Sequence, residues 1–168
     1  MRRPARAGHL LAGTLPAALS LGLLAGPVAA ASPWDRMFAG TTGCYQRVYP
    51  VTHLAGHPEQ RVTEMSIRAA PDIPGDPWPA VVLDVTLRGP EGGRAEAVAW
   101  CENIEDTLYC GMEGDAGAFS IAPAKEGAIL ISVVRDGMSF ETETGFVTLE
   151  ARRGDDRSFL LKPARGCQ

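Results

Sequence analysis

The feature that most constrains this chain is a series of short segments in which apolar and polar residues alternate. The clearest is AVVLDVTLR, residues 80–88, in which every second residue is apolar. These apolar residues are Val81, Leu83, Val85 and Leu87. A period of two puts alternate side chains on opposite faces of a strand, so the segment has one face for a core and one mostly for solvent. RVTEMSIRA, residues 61–69, has the same pattern.

About nine or ten candidate strands follow one another after Cys44. The segments between them are dense in Gly, Pro and Asp, which form turns. They read PDIPGDPWP, GPEGG, EGDAG, RDG and RRGDD. Their even spacing favours sequential hairpins, and the proline-rich segment 71–79 is predicted to be an external loop that partly buries Trp78. One short helix is predicted near 51–57, after Pro50.

These patterns place the chain in the all-β class. An antiparallel meander of this length must protect its edge strands, and closure into a barrel removes them, whereas a two-layer sandwich keeps some. We therefore expect a small antiparallel meander barrel, lipocalin-like or similar, with a β-sandwich as the alternative. The expected organisation is a single β domain over 44–168, preceded by a flexible segment over 32–43.

The N-terminus has the layout of a cleavable signal peptide over residues 1–31, with three arginines before an apolar run and small residues before Ser32. Gly and Pro interrupt this run, which is short for crossing ~30 Å of hydrocarbon, so a permanent membrane anchor is the weaker alternative. Cleavage lowers the formal net charge from −4 to −7, because the removed segment carries three arginines and no acid. The sequence thus predicts a periplasmic or secreted protein that binds neither nucleic acid nor, after cleavage, membrane.

Four cysteines, Cys44, Cys101, Cys110 and Cys167, follow the predicted cleavage point. An even number in an oxidising compartment indicates two disulfides, for which three pairings exist. A two-residue turn at 105–106 would place Cys101 opposite Cys110 on paired strands, within disulfide reach. Cys44 and Cys167 then pair by elimination and tie the start of the domain to its end. The spacing does not suit a zinc site.

The segment HLAGHPEQR places two histidines four positions apart. On a helix, His53 and His57 would share a face and could both bind one metal ion, with a carboxylate such as Glu59 or Glu64 as third ligand. A metal site or an acid/base role is therefore one interpretation of the pair.

The preferred interpretation of the two histidines is structural. Leu54 stands where the metalloprotease pattern HExxH has its glutamate, and Pro58 disfavours helical geometry at His57. We expect Leu54 to plug the end of the barrel, while the histidines cap backbone groups or bond nearby carboxylates. The histidines remain weak candidates for ligand or metal binding.

No catalytic residue is assigned. The serines lack a G-x-S-x-G elbow, and disulfide-bonded cysteines leave no thiolate. The acidic clusters at 102–106 and 113–115 do not follow calcium-loop spacing and are predicted to be solvated hairpin tips. No cofactor is predicted.

Three aromatic residues, Trp78, Trp100 and Tyr109, are weak candidates for ligand binding. In the register proposed for the cysteine hairpin, Trp100 and Tyr109 lie on one face, opposite to the face of Cys101 and Cys110. They could stack on a ligand or pack in the core, and core packing is the preferred interpretation.

Three stretches, CYQRVYPVTHLAGHPEQRV, CGMEGDAGAFSI and GDDRSFLLKPARGC, carry a resemblance. They resemble a family of uncharacterised bacterial secreted proteins with a C-Y-x-R-x-Y start, an H-L-x-x-H-P-x-Q segment, a C-x-V-E-C-D-G-G stretch and a D-D-x-x-F-x-L segment. Gly114 stands where that family has a cysteine, and Ala116 replaces a glycine, so the resemblance implies that one family disulfide is absent. It implies a β-rich, disulfide-bearing fold and no activity.

Together these observations favour a noncatalytic, monomeric protein that binds a small ligand or another protein, at the mouth of the barrel, in its interior or through its loops. One alternative is an inhibitor of an extracellular or periplasmic enzyme, with the loops at 71–79 and 53–61 as contact surfaces. Another is a metal-dependent enzyme that uses His53 and His57. A purely structural role in the envelope is the last.

Overall fold

The structure is a computed structural model that describes residues 30–39, 43–71 and 75–167. The predicted signal peptide, residues 1–31, lies almost wholly outside these ranges, as does the tip of the proline-rich loop at 72–74. Over the described ranges, no helix is long and apolar enough to cross a membrane.

The described residues form two short helices and nine strands, numbered in chain order. The helices are α1 (Pro33–Phe38) and α2 (Val51–Gly56), and a 3-10 turn spans Lys125–Gly127. The strands are β1 (Cys44–Val48), β2 (Val62–Ala69), β3 (Ala80–Leu87), β4 (Gly93–Ile104), β5 (Thr107–Met112), β6 (Gly117–Pro123), β7 (Ile129–Thr142), β8 (Gly145–Leu149) and β9 (Ser158–Pro163). The short helix predicted near 51–57 is confirmed as α2.

Eight of the strands close into an antiparallel barrel. Each strand from β1 to β7 pairs with the next, and β9 lies between β7 and β1 to complete the ring. Strand β8 stays outside the ring and forms a hairpin with the second half of β7. The all-β meander barrel is therefore confirmed, and the sandwich alternative is wrong.

The alternation in the sequence decides which side chains fill the barrel. On β3, Val81, Leu83 and Val85 are each at most 2% exposed. Residues from the other strands are equally buried and join them in one continuous hydrophobic cluster: Met65, Ile67, Leu108, Phe119, Ile121, Ile131 and Phe159. The interior is thus occupied by side chains, as in small barrels that hold no ligand inside.

The hairpin of β7 and β8 folds back beside the start of β4. Residues 138–142 of β7 pair with β8, whereas the first part of β7 pairs with β6 and β9. Near the tip of the hairpin, Thr142 Oγ1 lies 3.0 Å from Glu91 O, and Thr144 Oγ1 donates to Gly92 O at 3.0 Å. These contacts hold the tip against the turn that connects β3 to β4.

Both disulfides have the pairing that the sequence predicts. Cys101 and Cys110 are register partners with Cα atoms 4.1 Å apart, and the turn at 105–106 connects their strands. Cys44 is bonded to Cys167, 123 positions later, with Cα atoms 5.8 Å apart. The second bond ties β1 to the chain that follows its neighbour β9, so both ends of the domain are held at one seam.

The segment over 32–43, predicted to be flexible, instead contains α1. Ser32 Oγ accepts the Asp35 N–H at 3.1 Å, and the Asp35 carboxylate accepts the Ser32 N–H at 3.3 Å, which together form a capping box. Met37 is buried, and its carbonyl accepts the Tyr45 hydroxyl at 2.7 Å. Packing against the barrel orders a helix that is too short to be stable alone.

Candidate functional site

The histidine pair lies in a compact region at one end of the barrel, which we call the α2 cap. Its members are residues 49–61, Arg88 and Asp156. The rings of His53 and His57 are stacked, with centroids 4.3 Å apart and 25° between their planes. The Tyr49 ring continues the stack, 4.9 Å from His53. The histidines thus share a face, although His57 is the residue after the end of α2.

Neighbouring side chains hold each histidine of the α2 cap. His53 Nε2 lies 3.0 Å from Gln60 Oε1, and Gln60 Nε2 donates to Val62 O at 2.7 Å. His57 Nδ1 lies 3.9 Å from a carboxylate oxygen of Asp155. An amide oxygen can only accept, so in this arrangement His53 Nε2 carries the proton.

Stacked imidazoles do not suit joint coordination of a metal ion. The lone pair of each ring nitrogen lies in its ring plane, and nearly parallel planes direct the lone pairs side by side instead of onto one ion ~2 Å from each nitrogen. Of the carboxylates considered as a third ligand, Glu64 accepts a hydrogen bond from Gln46 at 2.7 Å. In the part of the chain that the structure describes, no group of three or more His, Cys, Asp or Glu could hold a metal ion.

Arg88 fixes the backbone that carries the histidines. Its Nε donates to Gln60 O and its Nη2 donates to His57 O, both at 2.6 Å. The same Nη2 lies 3.3 Å from Leu54 O, so one guanidinium group satisfies carbonyls at the end of α2. Leu54, which the sequence predicts to plug this end of the barrel, is buried.

Asp156 is a buried carboxylate of the α2 cap that the sequence analysis missed, because RRGDD reads as an ordinary turn. It is 4% exposed, and its two oxygens accept the backbone N–H groups of Arg61 and Val62, the latter at 3.1 Å. Burial raises the pKa of the Asp156 carboxyl above its ordinary value, and the two N–H groups and the Arg61 charge offset part of that rise. These contacts give Asp156 a structural role.

The three candidate aromatic residues lie away from the α2 cap. Trp78 precedes β3 and is 51% exposed. Trp100 is partly buried on the outer face of β4, and its Nε1 has no hydrogen-bond partner among the described residues. Tyr109 is 44% exposed on β5. The sequence favours core packing of these rings, and this prediction is wrong for Tyr109. The five candidate residues therefore do not form one site.

A different region of the barrel is open. A groove of about 700 Å³, which we call the side cleft, lies between β4 and the hairpin of β7 and β8. Its floor includes Ala97, Met112 and Phe140, which belong to the core or pack against it. Its rim carries Glu96, Glu113, Asp115, Glu141 and Phe146. Its volume lies within the ~300–1,000 Å³ of ordinary ligand pockets.

Both walls of the side cleft are strand edges. Strand β4 pairs with β3 along 93–100, but with β5 only from residue 99 onward. On the other wall, 138–142 pair with β8, whereas β6 reaches only Met138. Within residues 75–167, no strand is paired with β4 at 94–98 or with β7 at 139–142 on the cleft side.

The direction of the hydrogen bonds shows which backbone groups of β4 face the side cleft. Cys101 N–H donates to Pro79 O, on the side of β3. The register between β3 and β4 continues from there without a shift. Successive residues of an antiparallel strand point their N–H and C=O groups to opposite edges. The odd-numbered residues of β4 therefore face β3, as Cys101 does, and the even-numbered Glu96 and Val98 direct their N–H and C=O groups into the cleft.

The same reasoning applies to the opposite wall. Ser139 N–H donates to Ala116 O, on the side away from β8. The register with β8 is unbroken, so the N–H and C=O of Glu141 also point away from β8, towards the cleft. Two backbone edges therefore face each other across the opening.

The rim of the side cleft is acidic. Four of its side chains are carboxylates, and among the described side chains only Glu96 forms an ion pair, with Arg68 at 3.4 Å. Beside them, the Phe146 side chain is 67% exposed. A surface that combines an exposed aromatic ring with several carboxylates is complementary to a cationic ligand.

Asp84 lies next to this rim, as the register partner of Glu96. Its Oδ2 is buried and has no hydrogen-bond partner among the described residues. Burial raises the pKa of the Asp84 carboxyl and the charge of Glu96 raises it further, while Arg68 and Arg94 lower it. Asp84 is thus less buried than Asp156, and its buried oxygen lacks the donors that Asp156 has.

The sequence analysis missed the side cleft because no motif contains its residues. One signal was present. The alternating segment GRAEAVAWCENI extends eight residues before Cys101, whereas its partner TLYCGM ends only two residues after Cys110. A hairpin with strands of such unequal length leaves part of the longer strand unpaired on that side.

Comparison with known proteins identifies no relative. No protein-family model, no curated protein and no solved structure matches this chain. The resemblance to the secreted family stays a prediction.

Proposed function

We propose that this chain is a noncatalytic binding protein of the periplasm or the extracellular space, and that its ligand occupies the side cleft instead of the barrel interior. The carrying observation is the contrast between a filled barrel and an open groove whose floor reaches the core. A ligand of the interior would have to displace closely packed side chains, which is costly. A ligand of the cleft displaces only solvent.

Export is supported by two features. The signal-like residues 1–31 precede the domain, and both disulfides are of the structural kind that persists in oxidising compartments. The long disulfide joins the two ends of the domain.

The alternative functions have weaker support. A metal-dependent enzyme would need His53 and His57 to leave their stacked arrangement. An inhibitor would use the loops at 71–79 and 53–61 as contact surfaces, and no described residue of either loop lines the side cleft. We therefore base the proposal on the cleft.

The proposal is tested with three small probes that share a phenyl ring and differ in charge: benzyltrimethylammonium, benzyl alcohol and benzoate. Each is titrated at millimolar concentration into the ¹⁵N-labelled exported protein, and amide shifts are followed by NMR. We expect amide shifts at residues 96–98, 112–116 and 139–146. The shifts should be largest for the cationic probe, smaller for the neutral probe and smallest for the anionic probe. Shifts at buried positions such as Ile67 and Ile131, or no localised shifts, contradict the proposal.

Phe146→Ala and Trp78→Ala form a matched pair of variants, since each removes an exposed aromatic ring. We expect Phe146→Ala to weaken binding of the cationic probe several-fold because a cation–aromatic contact is worth ~0.5–1 kcal/mol at exposed sites. Trp78→Ala should leave the titration unchanged. An equal effect of both substitutions would place the probe outside the cleft.

A further inference from the structure

We propose that the side cleft binds an extended peptide by strand addition to the free edge of β4, and that this peptide alternates small apolar residues with lysine or arginine. The inference rests on the proposed function, since it names the ligand class of the same cleft.

The backbone of β4 supplies the first argument. Glu96 and Val98 direct their N–H and C=O groups into the cleft, where no strand of residues 75–167 is paired with them. An unpaired row of backbone donors and acceptors is a template for another strand. On β4 the cleft is lined by Glu96, Ala97 and Val98, and three residues of an added strand span about 10 Å, at about 3.3 Å per residue.

The two faces of the cleft supply the side-chain pattern. An added strand continues the pleat of β4, so alternate side chains point to the floor and to the rim. The floor at Ala97, Met112 and Phe140 is apolar and close to the core, and it suits small apolar side chains. The rim carries four carboxylates and the exposed Phe146 ring, which suit lysine or arginine.

Charge also decides against another occupant, a second copy of this chain. Pairing two β4 edges around a twofold axis would bring Glu96 and its neighbouring carboxylates close to the same groups of the other copy. Like charges directly opposite each other across a sheet are destabilising. A basic partner removes this repulsion instead of adding to it.

The hydrogen-bond direction predicts which backbone nitrogens of the peptide face β4. In an antiparallel ladder, the residue opposite Glu96 exchanges both hydrogen bonds with it and places its side chain on the same face. That face is the acidic rim. The basic residues of the peptide therefore present their N–H groups to β4, while the apolar residues present theirs to β7.

The test uses an acetylated and amidated heptapeptide with four lysines that alternate with three valines, and the exported protein. Hydrogen exchange is measured residue by residue by NMR with and without the peptide. We expect exchange of the Glu96 and Val98 amides to slow about tenfold or more at saturating peptide. The Ala97 amide is the internal control, because it already faces β3 and should not change.

Two N-methylated peptides separate strand addition from simple charge attraction. Methylation of the lysine backbone nitrogens should abolish protection of Glu96 and Val98, whereas methylation of the valine nitrogens should leave it largely intact. Equal binding of both peptides overturns the inference. So does equal binding of a peptide in which glutamate replaces lysine.

Glu141→Lys and Glu102→Lys are the matched protein variants, since both reverse an exposed charge but only Glu141 lines the cleft. We expect Glu141→Lys to weaken the peptide about three- to tenfold at low salt, and Glu102→Lys to have little effect. Binding that is insensitive to Glu141→Lys contradicts the charge argument.

The outcomes separate the two proposals. If the small cationic probe binds in the cleft but no peptide protects Glu96 and Val98, the proposed function stands and strand addition is wrong. If neither probe nor peptide binds, both are wrong. If light scattering shows a dimer in which Glu96 and Val98 are already protected, the occupant is a second copy and the basic peptide is wrong.

Discussion

The α2 cap and the side cleft differ in their backbone groups that lack a partner strand: side chains bond these groups in the cap, and they stay open in the cleft. In the cap, Arg88 donates to carbonyls that follow α2, and Asp156 accepts an N–H group at the start of β2. In the cleft, the edges of β4 and β7 face each other without an intervening strand. The cap carries the two histidines that suggest chemistry, whereas the cleft is lined by carboxylates, apolar residues and a serine.

This comparison shows that side-chain type alone is a poor indicator of a site. In the cap, His53 Nε2 bonds Gln60, the two histidine rings stack on each other, and Asp155 lies 3.9 Å from His57 Nδ1, so neighbouring groups fix the position of the pair. Within residues 75–167, the cleft by contrast exposes unpaired backbone groups of β4 and β7, which every residue type supplies. A search for reactive side chains therefore finds the closed region and passes over the open one.

The largest expected effect comes from removing the carboxylate that closes the cap. Asp156→Ala leaves the buried N–H groups of Arg61 and Val62 without acceptors, and we expect a loss of about 3 kcal/mol in the free energy of unfolding. Urea unfolding followed by circular dichroism measures it. Glu141→Lys at the cleft is the control and should change stability by less than ~0.5 kcal/mol. Similar losses for both variants would remove the distinction between the two regions.

Most of the fold could be predicted from the sequence, for a physical reason that these residues illustrate. Alternation along 80–88 fixes which side chains point inward, and the two-residue turn at 105–106 fixes the pairing of Cys101 with Cys110. Both are local properties of the chain. The role of Asp156 is not local, because its partners Arg61 and Val62 lie more than ninety positions away.

Apart from the unequal strands of the cysteine hairpin, the sequence does not indicate the side cleft, for a related reason. An open edge on β4 depends on where β5 ends and on where the hairpin of β7 and β8 comes to lie, and neither depends on local sequence around Glu96. The helix α1 was missed similarly, because its order comes from burial of Met37 against the barrel. Features that depend on distant packing leave little trace in a single sequence.

A second prediction sharpens the account of the cap. Arg88→Lys keeps the charge but loses the planar fork that reaches Gln60 O and His57 O together. We expect a loss of about 1–2 kcal/mol in the free energy of unfolding. Native-state hydrogen exchange should also show faster opening of residues 57–61. Unchanged exchange in that segment would mean that the guanidinium group does not hold the cap.

A third prediction addresses the histidines directly. His57→Ala removes a ring that is stacked on one face and about half exposed, and we expect a loss of about 0.5–1 kcal/mol. The natural protein and His53→Ala are both treated with a chelator and then titrated with zinc in a calorimeter. The two proteins should give the same heat. A heat that disappears in His53→Ala would make the cap a metal site and would reverse the comparison.

The smallest expected effect concerns Asp84, the counterpart of Asp156 near the cleft. Its pKa in the folded protein is raised above the ordinary 3.8, so the folded state binds the proton more tightly than the unfolded state does. The free energy of unfolding therefore falls as pH rises from about 3.8 through the raised pKa, and it is constant with respect to this group above it. Asp156 contributes a fall of the same sign.

Asp84→Asn removes the first of these contributions and keeps the shape of the side chain. We expect the variant to lose stability less steeply than the natural protein between pH 4 and 7, and to be more stable at pH 7 by under ~1 kcal/mol. Urea unfolding at several pH values measures both. Because Asp156 has two backbone donors and the buried oxygen of Asp84 has none, Asp156→Asn should destabilise at pH 7. If the carboxylate is held by donors in the cap and lacks donors beside the cleft, the two substitutions must change the free energy of unfolding in opposite directions at neutral pH.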